Sequence, residues 1–292
     1  MTEVLVAGAG GMLGSAFIHH LGEATGRLGR DRLDVSRIDT VLDAVDRSGA
    51  GIVINCAAHT DVEAAEAAPD EAWRVNALLP GILGQACRRS GAVLVHLSST
   101  GAYGDWKDTA YDEEDPLRPT TVHHRSKAAG EAAVRDSGCE HLIVRTGWLF
   151  GGAPSQPKNF VWKRILEAAT HATMTSDASQ CGNPTAVDDV VRQVMATLAA
   201  PYRGLVNVVS HGRATRYDYV RRIVAATGLA CDVSATTTPF ARAARVSPNE
   251  SAVNRRLGLL GIDRMPDWTD AVDRYVADLM TTPQWTAIER TA

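Results

Sequence analysis

Two hydrophobic periods alternate along this chain, and that alternation restricts its fold more than any other feature. The runs VLVAGA (4–9), GIVINCAA (51–58), AVLVHLSS (92–99) and HLIVRTGW (141–148) are short, rich in β-branched residues and near-continuously apolar. Such runs suit strands covered on both faces. Between them lie MLGSAFIHHLGEA, IDTVLDAVDRSG, EAWRVNALLPGILGQACRRSG and SKAAGEAAVRDSG, with apolar residues at helical spacing and several closed by Gly. Parallel neighbours need a long crossover, which a helix supplies. The pattern predicts an α/β fold with a doubly wound parallel sheet of the Rossmann type. Past residue 150 the regularity loosens, with Pro- and Gly-rich stretches at 151–157 and 182–184. A second, smaller α/β domain is expected there.

A chain of 292 residues holds one large domain, or a medium one with a smaller partner. Hydrophobic residues at 45% and charged residues at 22% are globular values. A net charge of −4 and the lack of any Lys/Arg run give no basis for a nucleic-acid partner. Cys56, Cys87, Cys139, Cys181 and Cys231 form no C-x-x-C pair, which fits reduced thiols better than a disulfide framework or a zinc site. No apolar run approaches the roughly 20 residues of a membrane span, and no secretory leader precedes the first strand-like run. The expectation is a soluble, cytoplasmic protein with no membrane partner and no metal.

The stretch GAGGMLG places Gly8, Gly11 and Gly14 at G-x-x-G-x-x-G spacing between a strand and a helix. Small residues there let the backbone approach a pyrophosphate, and the helix N-terminus offers N–H groups and positive dipole. Glycines also build plain turns; the position after the first strand is what favours a dinucleotide. Contacts are expected from Gly8, Gly11, Met12, Leu13 and Gly14, and from Ala57 and Ala58 after the next apolar run. About twenty residues on, an acid would bind the ribose of NAD, and a cation the 2′-phosphate of NADP. GRLGRDRLDVSR offers Arg27, Arg30 and Arg32 with no acid closing the strand. NADPH is expected through Arg30, with NADH as the alternative, and Asp34 and Val35 are expected beside the adenine. Residues 1–150 would form the NAD(P)-binding domain, re-entered around 182–210, and 151–292 mainly the substrate domain.

Further motifs recur in order: VINCAAHTDVEAAE with VNA (Asn76), LVHLSST, SKAAGE, RTGWLFG, NFV, SQCGNPT, GLVNVVSHG and a terminal SAVN…LGI…PDW. Through them the chain resembles an extended short-chain dehydrogenase/reductase, and within that superfamily the dTDP-4-dehydrorhamnose reductase family. AAHTDVEAAE, RTGWLFG and GNPT together are the specific part, and the likeness runs nearly end to end. It implies NAD(P)H in the Rossmann domain and a nucleotide-sugar in the C-terminal region. The implied reaction is hydride delivery to C4 of a dTDP-4-keto-6-deoxyhexose, in deoxysugar biosynthesis. The implied partner is a dTDP-linked sugar, contacted by Thr100, Tyr103, Trp148, Asn159 and Phe160. A homodimer is the expected self-association.

Ketone reduction needs a hydride donor and a proton donor placed before reaction. In the superfamily the proton comes from a Tyr acidified by a Lys four residues later on one helical face, with a Ser/Thr hydroxyl as second donor. TTVHHRSKAAGE (120–131) keeps Lys127, but His123 stands where the Tyr belongs. Ser99 takes the hydroxyl position, with Thr100 its neighbour. Three readings stay open. His123 donates the proton; His123 fills the space and catalysis is lost, leaving a binding or regulatory protein; or another group, such as Tyr103, Tyr111, His124 or a water, takes over. Different chemistry on the same scaffold is the remaining alternative. Two further departures bear on the substrate. Ser179 precedes Gln180 where the family has an acid, and Ser247, in SPNES, stands where the family has an Arg for the diphosphate, which Arg242 or Arg245 could replace. The acidic run DEED (112–115) reads as a solvated loop, and His19 and His20 as surface residues.

Overall fold

The computed structural model describes residues 4–22, 25–238 and 242–289, without the side chains of Arg30 and Glu289. Numbering the longer elements in chain order, the first half runs β1 (Val4–Ala7), α1 (Met12–Leu21), β2 (Gly26–Leu28), α2 (Ile38–Ser48) and β3 (Ile52–Asn55). It continues through α3 (Leu79–Ser90), β4 (Val93–Ser99), α4 (Val122–Asp136) and β5 (His141–Thr146). The second half holds α5 (Phe160–Thr170), β6 (Thr173–Asp177), α6 (Val187–Ala199), β7 (Gly204–Asn207), α7 (Arg216–Thr227), β8 (Asp232–Thr236) and α8 (Trp268–Met280).

Six strands form one parallel sheet in the order β7-β5-β4-β3-β1-β2. The four apolar runs read from the sequence are its β1, β3, β4 and β5. Chain direction reverses across the sheet between β1 and β3, the switch point at whose carboxyl side ligands bind in open α/β sheets. Both faces are covered. One core packs Leu5, Val53, Leu94 and Ile143 against α2, α3 and α4; the other packs Val6, Ile54, Val95 and Val144 against α1 and α6. Odd and even residues of each strand therefore meet different cores, which explains the near-continuous apolar runs.

A separate cluster gathers Phe150, Val161, Ile165, Tyr219, Ile223, Val272 and Val276, joining α5, α7 and α8. β6 and β8 pair in parallel beside it. Residue 150 is not a clean division. α6 and β7 belong to the sheet, and Leu257 and Met265 pack into its second core, because parallel strands β5 and β7 need cover on that face.

α4 carries the segment 120–131. Thr121 caps it, accepting a hydrogen bond from the His124 N–H at 3.1 Å. About half of the helix's circumference is buried, through Val122, His123, His124, Ser126, Lys127, Gly130, Glu131 and Val134. Beneath it Glu131 receives Nε and Nη2 of Arg145 at 2.9 and 2.7 Å and the Ser98 hydroxyl at 2.6 Å. A side chain at Gly130 would meet the Asn76 carbonyl oxygen at 2.1 Å. Gly within a helix ordinarily costs about 0.5–1 kcal/mol against Ala; here it permits the approach. Gly130→Ala should therefore destabilise the protein by about 1–3 kcal/mol, read by urea unfolding, and a stabilised variant would contradict this packing.

Candidate active site

The glycine turn has the geometry a dinucleotide needs. Gly8 has φ +77° and lies so close to Ala57 that a side chain would meet its backbone at 2.6 Å. A side chain on Gly14 would meet the Gly8 carbonyl at 2.2 Å, whereas Gly10 faces open space. Gly11 is the N-cap of α1 and supplies no side-chain acceptor, and no acid occupies the first turn. The first N–H groups of α1 thus have no side-chain partner among the described residues, which suits a phosphate. Leu13 is buried in the sheet's second core and Met12 packs beside it. The Leu13 side chain serves packing, and that of Met12 is half-buried. Arg27 is exposed within β2 and Arg32 beyond its end, where Arg32 lies 3.6 Å from Asp31. The side chain of Arg30 falls outside the described residues. Asp34 is exposed, and its carboxylate accepts from the N–H and hydroxyl of Ser36, bonds that lower its pKa. Val35 packs against the first core.

A cavity of about 630 Å³ opens where β4 and β5 end. Ser99 and Thr100 line it from the sheet, and Trp148, Phe160, Lys158 and Arg216 from the second body. Ser99 ends β4, and its hydroxyl accepts from the Gly101 N–H at 3.2 Å. Thr100 sits over Gly147, where any side chain would collide with its hydroxyl at 2.4 Å. Trp148 is the one non-glycine among the described residues with positive φ, at +47°, a strained conformation that its surroundings must impose. Glu250 accepts from the indole N–H at 2.8 Å, Arg216 lies 3.5 Å above the ring, and Gly182 leaves room beneath it.

His123 is not on this wall. Asn76 clamps the neighbouring loop, accepting from the His59 N–H at 2.9 Å and donating to the His59 carbonyl at 3.0 Å and to Ser126 at 3.0 Å. The same His59 carbonyl lies 2.8 Å from Nδ1 of His123. A carbonyl only accepts, so Nδ1 carries the proton and Nε2 of the neutral ring holds a lone pair. Burial, then the neighbouring His124 and Lys127, push the His123 pKa down to about 3. Lys127 is buried one turn on, and its ammonium donates to the Leu97 carbonyl. Burial brings its pKa to about 8 against the opposing pull of Glu131 and Cys56.

His124 does line the cavity, with its ring 5.0 Å from that of His123. Two other residues expected at the substrate lie elsewhere. Tyr103 is fully buried, donates to Asn207 at 2.8 Å and stacks on Tyr111 at 4.9 Å. It sits within a tight turn just after β4, which carries it into the core. Asn159 is also fully buried; it caps α5 by accepting from the Trp162 N–H at 3.0 Å and donates to Tyr275 at 2.6 Å. Its place on the wall is taken by Lys158 and Phe160. Glu250 and Arg216 were not singled out from the sequence. The signal for Arg216 was faint: Thr215 and Asp218 form a capping box that marks the start of α7.

The family model described as RmlD substrate binding domain matches residues 1–281. The chain belongs to that family. It is 32% identical to a dTDP-4-dehydrorhamnose reductase of Mycobacterium tuberculosis (strain H37Rv), over 94% of this chain and 92% of the relative. A Streptomyces griseus protein of the same name is 39% identical over 68% of this chain and 66% of its own length. Among solved structures, the Clostridium acetobutylicum dTDP-4-dehydrorhamnose reductase superposes with a TM-score of 0.90 at 28% identity, covering 96% and 100% of the two chains. The Bacillus anthracis reductase in complex with NADP gives 0.89 at 27% identity, covering 95% and 100%.

The neutral His123 has a consequence for stability. Its folded pKa lies below the unfolded value, so the unfolded chain takes up a proton that the folded chain refuses once pH falls below about 6.5. His96 and His124 are shifted in the same direction by burial. Stability should be unaffected by these groups above pH 7 and fall below pH 6.5, with His123 approaching about 1.4 kcal/mol per pH unit. Urea unfolding of wild type and His123→Gln between pH 7 and 5 reads this. A shallower acid-side slope in the variant is expected, and equal slopes would contradict the buried neutral ring.

Proposed function

We propose that this protein is an NADPH-dependent reductase of a dTDP-4-keto-6-deoxyhexose, acting in deoxysugar biosynthesis. The observation that carries the reading is one cavity shared by two chemistries. Ser99 and Thr100 reach it from the carboxyl end of a dinucleotide-type sheet. Cationic Lys158, Arg164, Arg216 and Arg242 and aromatic Trp148 and Phe160 line its other side. Guanidinium and ammonium groups suit a diphosphate, aromatic faces suit a base or sugar ring, and the volume is that of a small-molecule site. Family membership and the relatives named above support the same substrate class.

The residues present fit the cofactor. The bare N-terminus of α1 would hold its pyrophosphate, and Lys127 its nicotinamide ribose, where the bound group would supply a hydride. Arg27 and Arg32, with no acid ending β2, support a 2′-phosphate and hence NADPH over NADH. One observation favours a second reading, a nucleotide-sugar-binding protein without turnover: the tyrosine position holds a neutral imidazole whose only proton is committed to a carbonyl.

Purified protein mixed with NADPH and a dTDP-4-keto-6-deoxyhexose, followed by loss of NADPH absorbance, separates the two. The expected result is turnover, with NADPH bound at least tenfold tighter than NADH, or about 1.4 kcal/mol. Binding of both ligands without turnover would establish the second reading. Failure to bind either would end both.

A further inference from the structure

We propose that the acid–base group facing the sugar is His124, one residue past the tyrosine position, and that Glu250 is the carboxylate that positions it. The inference rests on the reductase reading above and deepens it.

Three observations converge. First, the His123 side chain does not reach the cavity, because Asn76 and His59 close over it and the His59 carbonyl engages its ring. Rotation by one residue along α4 brings His124 to the wall, beside Ser99 and Thr100. Second, Nε2 of His124 lies 3.8 Å from Oε1 of Glu250, and both groups are buried. Among the described residues Glu250 is the one carboxylate within ion-pair distance of this ring; Asp61, Glu63 and Asp177 share the cavity wall but not that distance. The other carboxylate oxygen of Glu250 is fixed by the Trp148 indole N–H at 2.8 Å, so the acid is held in place from the substrate side of the fold. Third, Nδ1 of His124 is buried with no hydrogen-bond partner among the described residues. A buried ring nitrogen without a partner is costly; this one is enclosed, and a turn of the ring toward a sugar oxygen in the cavity would relieve it. Gly101 is required by the same arrangement, since a side chain there would strike the His124 ring at 2.2 Å and Glu250 at 2.8 Å.

The pair differs from His123 in the way that matters for proton transfer. His123 has its N–H bonded to a carbonyl and no counter-charge. Burial also lowers the pKa of His124, but the Glu250 carboxylate opposes that shift. Burial outweighs that pull, and Glu250 is the charge that favours the protonated ring which the step uses. The step balances as follows. Hydride adds to the carbonyl carbon of the keto sugar, the C=O π pair moves to oxygen, and that oxygen forms an O–H bond as the N–H bond of protonated His124 breaks. The ketone is reduced to an alcohol, the nicotinamide is oxidised, and neutral His124 regains its proton from solvent through the cavity mouth.

Two measurements test this. In steady-state reduction of a dTDP-4-keto-6-deoxyhexose, His124→Gln should lower kcat by about 100-fold or more, the range for a general acid, with dTDP and NADPH affinities by calorimetry within threefold of wild type. His123→Gln should lose far less. In protein labelled with ¹⁵N-histidine, the signals that vanish in His124→Gln should shift when dTDP-glucose, a non-reducible probe, is added. In Glu250→Gln the same ring should remain neutral at a pH where the wild-type ring is protonated. Wild-type turnover together with a His124→Gln kcat within threefold would overturn the proposal, as would parallel loss of ligand binding or a probe-insensitive signal. An inactive wild type would instead overturn the reductase reading, and the catalytic role of the pair with it.

Discussion

The site depends on how α4 docks against the turn that carries Asn76. Gly130 lets the helix come within touching distance of the Asn76 backbone. The Asn76 side chain then holds both polar groups of His59 and the Ser126 hydroxyl. From below, the Glu131–Arg145 pair with Ser98 pins the helix to β4 and β5. Neither restraint alone fixes rotation about the helix axis, but contacts on two sides do. A buried ion pair of this kind contributes little net stability and is costly to break. Its value here is that it specifies one orientation.

That orientation decides the chemistry available. Residues 123 and 127 share a face because they are four apart, and that face meets the clamped loop after β3. The imidazole at position 123 stops at the His59 carbonyl. The consequence is a ring that is buried, neutral and already hydrogen-bonded. Residue 124 points about one quarter-turn away and meets the edge of the cavity and the Glu250 carboxylate. The same helix thus carries one histidine used to close the structure and one left facing the ligand cavity.

The architecture was legible because parallel strands buried on both faces leave continuous apolar runs. β2 carried no such run, since Gly26–Leu28 is three residues at the edge of the sheet, and its place was inferred only from the cofactor motif. The histidine that reaches the cavity was hard to read from α4: its solvent side is mostly Ala128, Ala129, Ala132 and Ala133, and polar His123, His124, Ser126, Lys127 and Glu131 are on the buried side, so polarity does not mark how it is turned. Tyr103 and Asn159 were placed at the substrate by resemblance, but a tight turn and a helix cap commit their polar atoms elsewhere. The acidic run misled in a similar way. Glu113 is buried, accepting from the Asn207 N–H at 2.8 Å and from Arg256, so a loop that reads as solvated braces the edge strand of the sheet. Glu250 and Arg216 come from segments far apart in sequence and meet only through the tertiary fold.

The central claim is that α4 presents residue 124, not residue 123, to the sugar. A crystal structure of the protein with NADP and a dTDP-hexose bound tests it most directly. The account predicts a ring nitrogen of His124 within hydrogen-bond distance of the hexose oxygen at C4, with the His123 ring still on the His59 carbonyl. A structure in which His123 has left that carbonyl and bonds the C4 oxygen, with His124 apart from the sugar, would contradict it.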